Sequence, residues 1–241
     1  MRTMAFAKRT AKEIFRDPVT LGFGLGFPAV LLFLLSAIQK NIPTSLFEIE
    51  KLAPGMTVFG LSFITLFSAS LIAKDRESAF LTRLYATPMR AVDFIVGYTL
   101  PLLPLALLQS GLCYAIGFIL GLKFTVNIFY AMFLIIPCAL FFIFLGLLFG
   151  SILTQKQAGG ICGALLTNLT AWLSGIWFDL SLVGGAFETV ASFLPFYHAV
   201  QLQQLATLGL GGICPHLLWT VAYAVIAMVL SVVFFLKQMR K

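Results

Sequence analysis

Residues 74–93 read KDRESAFLTRLYATPMRAVD, and here charged and apolar side chains fall in a register that could do chemistry. Phe80, Leu81, Leu84 and Tyr85 sit at i, i+1, i+4 and i+5, which gives a short helix one apolar face. Arg76 and Arg83 lie one heptad apart. Asp75 and Glu77 stand near the expected helix start, where acids suit the helix dipole. Thr87-Pro88 then ends the helix, because the residue before a proline is pushed out of the helical region. The chemistry on offer is recognition rather than bond-making. Two readings stay open on these residues alone: a solvated loop carrying topogenic charge, or a docking helix whose apolar face enters a groove on a cytoplasmic partner.

Residues suited to covalent or ion-driven chemistry are scarce. His198 and His216 are the only histidines; each lies near the outer face and reads as an interface residue. Gln109, Thr167, Asn168, Thr170 and Ser174 are the chief polar groups inside apolar runs, and they predict hydrogen bonds between helices rather than a reaction centre. Cys113, Cys138 and Cys162 fall within such runs and Cys214 at the edge of one, with no CxxC pair. They read as small buried apolar residues, not as a metal site or a disulfide frame. No Asp, Glu, Lys or Arg interrupts a proposed span. Ion-coupled carriers usually keep such a costly residue in the membrane to bind the driving ion. Membrane-embedded enzymes need carboxylates, histidines or a metal set. The sequence has no GxxxxGK[ST] loop to cradle phosphates. If the chain moves anything, the energy is expected from elsewhere.

The elements that must position these residues are built for lipid. Of 241 residues, 60% are hydrophobic and 10% charged, with a mean hydropathy of +1.01. A soluble domain carries about 25% charged residues. Six runs are long enough to cross about 30 Å of hydrocarbon: residues 19–38, 54–73, 94–122, 128–153, 158–178 and 216–236. Pro101 and Pro104 predict a tilt or kink in the third. The expected fold is an all-α integral membrane domain over residues 1–241.

Residues 1–17 predict an amphipathic helix lying in the membrane interface. Met4, Ala7, Ala11, Ile14 and Phe15 share its apolar face, and Lys8, Arg9, Lys12, Glu13 and Arg16 the polar one. Asp17-Pro18 breaks it, and the next stretch is too long for a signal-peptide core and lacks an Ala-x-Ala site. Residues 179–215 are apolar, yet glycines and Pro195 cut them into pieces too short to span. Residues 187–194 and 199–208 predict short helices that dip into the outer leaflet and return. Gly22/Gly26, Gly117/Gly121, Gly146/Gly150 and Gly159/Gly163 are pairs four apart that permit close helix approach.

The net charge is +7. Free basic arms can mark nucleic-acid binding, but these charges lie beside spans and read as topology signals, so no nucleic-acid partner is expected. Thirteen of the 16 Lys and Arg residues fall in residues 1–17, 74–93, Lys156 and 237–241, against Lys40, Lys51 and Lys123 on the other side. The positive-inside rule then puts both termini in the cytoplasm.

Taken together, these residues resemble the ABC-2 type permeases, a family of drug, polysaccharide and lipid exporters. The resemblance rests on Asp75-Arg76-Glu77, then Leu81-Thr82-Arg83-Leu84, then Ala86-Thr87-Pro88, with Gly97 entering the third span. Pro54-Gly55, Ser174-Gly175-Ile176-Trp177-Phe178 and Leu194-Pro195-Phe196-Tyr197 add to it. Ala79-Phe80 departs from the family's usual Gly-Thr. The resemblance implies a plasma-membrane half-transporter, bacterial in type, pairing with a second permease and with two cytoplasmic ATPase subunits that bind ATP and Mg. Its implied coupling residues are Asp75, Arg76, Glu77, Phe80, Leu81, Arg83, Leu84, Thr87 and Pro88, with Gln155 and Lys156 as a smaller second contact. The expected cargo is a hydrophobic or amphipathic compound. The rival readings are an ion-gradient-driven carrier and a membrane-embedded enzyme or scaffold. The 25 phenylalanines suit an apolar route, and equally a lipid-facing surface or core.

Overall fold

The computed structural model describes residues 2–43, 45–78, 80–85 and 89–239, and every regular element among them is helical. Helix α1 (Arg2–Phe15) is followed by α2 (Pro18–Leu21), a π-helical stretch (Gly22–Gly26) and α3 (Phe27–Gln39). Then come α4 (Ile49–Glu77), α5 (Phe80–Tyr85), α6 (Ala91–Ile119) and α7 (Asn127–Ile152). A composite segment follows: α8 (Gln155–Ala158), a second π-helical stretch (Gly159–Leu166) and α9 (Thr167–Leu173). The chain ends with α10 (Gly185–Phe193), α11 (Pro195–Leu208) and α12 (Ile213–Met239).

Five helices among the described residues are long and apolar enough to cross a membrane: Gly22–Gln39, Ile49–Glu77, Ala91–Ile119, Asn127–Ile152 and Ile213–Gln238. They match five of the six expected runs. The remaining one, residues 158–178, is not a single α-helix. Gly159, Gly160 and Gly163 sit in its π-helical part, and polar Gln155, Lys156 and Gln157 open it. The segment packs along α4. At one end the Gln155 amide donates to Glu77, and at the other Ile176 covers Gly55.

Helix α4 is the centre. It is apolar all round, as a helix buried on every side should be, and from Leu52 to Ala73 nearly every residue is buried. Its small residues let neighbours approach closely. A Cβ on Gly146 of α7 would lie 2.6 Å from the Thr65 carbonyl, and one on Gly150 would lie 2.6 Å from the Ala69 carbonyl. The Thr65 hydroxyl donates to the Phe142 carbonyl at 2.8 Å and Ser68 to Ile143 at 3.2 Å. Small side chains and short hydroxyl bonds hold helices together where apolar burial against lipid gains little. The outward sides of α3 (Val30, Phe33, Leu34) and α12 (Val225, Val229, Val233) are exposed and apolar, as lipid contact requires.

Several expectations need correction. Of the four glycine pairs, only Gly146/Gly150 packs two helices tightly along its length, whereas Gly22, Gly26 and Gly159 face open space. Gly121 is a helix stop. It has φ +109° just past α6, with Leu122 donating back to Gly117 and Gly121 to Phe118. That Schellman closure ends the third span at Ile119 rather than at residue 122. The polar groups inside the runs also differ from expectation. Thr167, Asn168 and Thr170 bond carbonyls of their own helical segment, and the Gln109 amide reaches Cys113 one turn away. Serine and threonine can satisfy themselves against the preceding turn, so the cross-helix bonds fall to Thr65, Ser68, Ser231 and Tyr114.

Candidate functional site

The expected docking helix over residues 74–93 is three pieces. Lys74, Asp75, Arg76 and Glu77 are the last turn of α4, so the acids sit at a helix C-terminus and not at a helix start. Only Phe80–Tyr85 forms the short helix α5, and Arg90 to Asp93 open α6. Thr87 and Pro88 lie outside the described residues.

What makes acids acceptable at that C-terminus is their pairing. Asp75 is 1% exposed and takes a two-pronged bond from Arg9 of α1, with Nη1 at 2.6 Å and Nη2 at 2.7 Å. Tyr98 of α6 adds its hydroxyl at 2.8 Å. A buried carboxylate with a fork of guanidinium donors is the geometry in which such a pair holds its charge. Burial works against the Arg9 charge, but the bond to Asp75, with the attraction of Asp75 and Glu13, outweighs it and holds the guanidinium above its ordinary pKa. Glu13 in turn bridges Arg9 and Lys74.

The neighbouring residues tie the same end to other helices. Arg76 donates to the Ser151 and Leu153 carbonyls, both at 2.5 Å, and so caps the C-terminus of α7. Glu77 accepts the Gln155 amide at 2.9 Å. Thr154 and Gln157 close a reciprocal cap around α8, leaving Gln155 and Lys156 exposed. Gln238 of α12 also reaches the Ser151 carbonyl. Four basic segments, residues 1–17, 74–93, 156 and the end of α12, therefore share one end of the bundle.

Asp75 and Arg76 were expected to face a partner. They point inward instead, because their donors and acceptors come from α1, α6 and α7. The apolar ridge of α5 is also partly covered. Leu81 is 1% exposed, and Phe80 stacks on Phe6 of α1 with ring centroids 6.4 Å apart. The Arg9 guanidinium lies 4.2 Å over the Phe80 ring, a cation–π contact. Phe6 also meets Phe94 and Tyr98 edge-on, and it fits only because Gly97 lacks a side chain: a Cβ there would come within 2.3 Å of the ring. Arg83 is exposed and Leu84 half-buried. An open groove of about 410 Å³ runs between α1 and α5, bordered by Phe6, Arg9, Phe80, Leu84 and Met89.

Helix α1 is thus part of the site, which the sequence reading placed only in the lipid interface. Its buried face is Phe6, Ala7, Thr10 and Ile14, against protein, while Met4 and Phe15 stay exposed. The apolar face is rotated from the expected one because α5 and α6 provide a floor for Phe6. The available signal was Glu13, a lone acid one turn after Arg9 in a basic helix.

No metal-holding group of three or more His, Cys, Asp or Glu residues occurs among the described residues. The arrangement is one of mechanical linkage: six helices bonded at one end, with a short, partly covered helix hung on the central one. The model of the ABC-2 type transporter family matches residues 1–207. No curated protein gives a significant match. Members of that family are membrane components of transport systems that work with ABC ATPases and are not themselves catalytic. The match runs from α1 into the last turn of α11 and includes Arg9, Asp75, Arg76, Glu77 and Gln155 of the bonded end: this chain belongs to the ABC-2 type transporter family and is a multi-pass membrane permease of ABC-type transport.

Proposed function

We propose that this chain is the permease half of an ATP-driven exporter in the plasma membrane, carrying a hydrophobic or amphipathic compound. Two copies, or this chain and a related one, form the path, and two separate cytoplasmic ATPase subunits bind ATP and Mg. The carrying observation is the attachment of α5. It hangs on the end of α4, is stacked on α1 through Phe80 and Phe6, and leaves Arg83 exposed. A push on α5 is thereby delivered to α4 rather than absorbed by a loop. The docking surface is composite: Arg83 and Leu84 of α5, the adjoining edge of α1, and Gln155 and Lys156 of α8. Asp75 and Arg76 act behind it as the mounting.

Six crossings with both termini in the cytoplasm fit this reading. Supporting the sixth is the composite segment, which follows α4 from Glu77 to Gly55. Supporting the orientation is the gathering of basic segments at the bonded end. We place α10 and α11 at the opposite, outer end as the re-entrant pair that caps the exit.

The test is assembly. Purified alone, the chain hydrolyses no ATP, and mixed with its cognate ATPase it forms a stable complex. Arg83→Glu with Leu84→Asp abolishes the complex, and Arg83→Glu alone weakens it while thermal unfolding of the permease changes little, since the Arg83 side chain is exposed. Unchanged assembly and transport by that double variant reject the docking role.

A further inference from the structure

A cleft of about 1090 Å³ lies between α1 and α4. Its rim and its wall differ in chemistry. Lys8 and Lys12 of α1 and Arg16 just past its end line the rim at i, i+4 and i+8, one stripe about 12 Å long. The wall is Phe67 and Leu71 of α4. Phe67 is set there by Gly24 of the first π-helical stretch, where a Cβ would come within 2.4 Å of the ring.

The rim carries an excess of positive charge. The ion pairs Arg9–Asp75, Arg9–Glu13 and Lys74–Glu13 engage Arg9 and Lys74 of this region. Of the charged side chains bordering the cleft, five are cationic and two, Glu13 and Asp17, are acidic. Phe67 lies seven residues before Lys74 on α4, about 10 Å deeper along the helix axis. A cationic ledge above an apolar wall at that depth matches a phosphate joined to the first carbons of an acyl chain. A free anion would leave the wall uncovered, and a zwitterionic headgroup would bring a trimethylammonium against the lysines.

We propose that this cleft holds one anionic phospholipid of the bilayer, its phosphate among Lys8, Lys12 and Arg16 and its upper chain against Phe67 and Leu71. The lipid wedges α1 against α4 and so sets the tilt of the helix that supports α5. This assignment rests on the cleft and on membrane residence, and it stands whether or not the docking role holds.

The experiment uses the full chain, purified, delipidated and titrated with phosphatidylglycerol or phosphatidylcholine, with one-to-one complexes counted by native mass spectrometry. Phosphatidylglycerol is expected to bind about tenfold more tightly. Lys8→Gln with Lys12→Gln and Arg16→Gln removes most of that preference. Lys123→Gln, a cation on the opposite side of the bundle, keeps it. Phe67→Ala weakens both lipids alike. Circular dichroism of the triple variant checks that α1 remains helical, and if it does not, the Phe67→Ala arm carries the test. Equal affinity for the two lipids, an unaltered preference in a helical triple variant, or undiminished binding to Phe67→Ala overturns the proposal. So does displacement of phosphatidylglycerol by millimolar inorganic phosphate, which would assign the site to a free anion.

Discussion

At one end of the bundle, Asp75 gathers Arg9 and Tyr98 while Arg76 grips the last carbonyls of α7. At the other, His198 of α11 meets His216 of α12 with their Nδ1 atoms 3.0 Å apart, and the His198 ring lies flat on Trp219 at 5.1 Å. Tyr223 closes that region by donating to the Phe193 carbonyl. Both ends use polar groups, but they use charge in opposite ways. The first concentrates full charges and pairs them, so it is strong when complete and costly when one member is missing. The second is an aromatic stack around a pair of imidazoles, so it tolerates a lost hydrogen bond. An end proposed to pass force to another protein benefits from the first design, because paired charges leave few alternative arrangements.

Replacing Asp75 by Ala is the most severe way to break this contrast. It leaves the Arg9 guanidinium and the Tyr98 hydroxyl without their shared acceptor, and we expect a loss of about 3 kcal/mol, read as a large drop in the detergent-solubilised unfolding temperature. Arg76→Met comes next. It strips the Ser151 and Leu153 carbonyls of a charged donor, for a loss of about 2 kcal/mol by the same measurement. A variant as stable as the parent in either case would mean that the bonded end is not held by charge.

The mildest change sharpens the other half. Burial, with the adjacent His216, holds the His198 imidazole down to about 4, against an ordinary value of 6.5. The unfolded chain therefore takes up a proton before the folded one does. Stability from this group is complete above about pH 6.5 and is lost as pH falls toward 4. His198→Phe preserves the stack on Trp219, so at pH 7.5 it should shift stability by about 1 kcal/mol or less. In unfolding scans from pH 7.5 to 4.5 it should also flatten the decline seen in the parent. A parallel decline in the variant would assign the pH response to other groups.

Much of this organisation was legible in the residues themselves. Long charge-free runs have one solution in lipid, so five spans and their approximate limits followed from length and hydropathy. The short helices between residues 185 and 208 were readable too, because Gly184-Gly185 and Pro195 punctuate them. What was hidden depended on partners distant in sequence. Asp75 follows an apolar run, and local pattern alone reads it as an acid near the start of the next helix. Its meaning lies in Arg9, 66 residues earlier, and Tyr98, 23 later. The same holds for Phe6, whose seat exists only because Gly97 is bare. The composite segment was obscure for another reason. Its π-helical turns do not follow the periodicity used to find helices, and Gly159 reads as a packing residue although a Cβ there would meet nothing within 4 Å.

The close seam between α4 and α7 constrains how such a machine could move. Glycine gaps too narrow for a methyl group, two hydroxyl rivets and the Arg76 clasp leave no room for one helix to slide past the other. They form a single strut. On the proposed docking role, a stroke received at the α5 tip would swing the strut as a whole without shortening it, so the hinges would lie where the seam is absent, at Gly22 and Gly26 of the first π-helical stretch, where a Cβ would meet nothing within 4 Å.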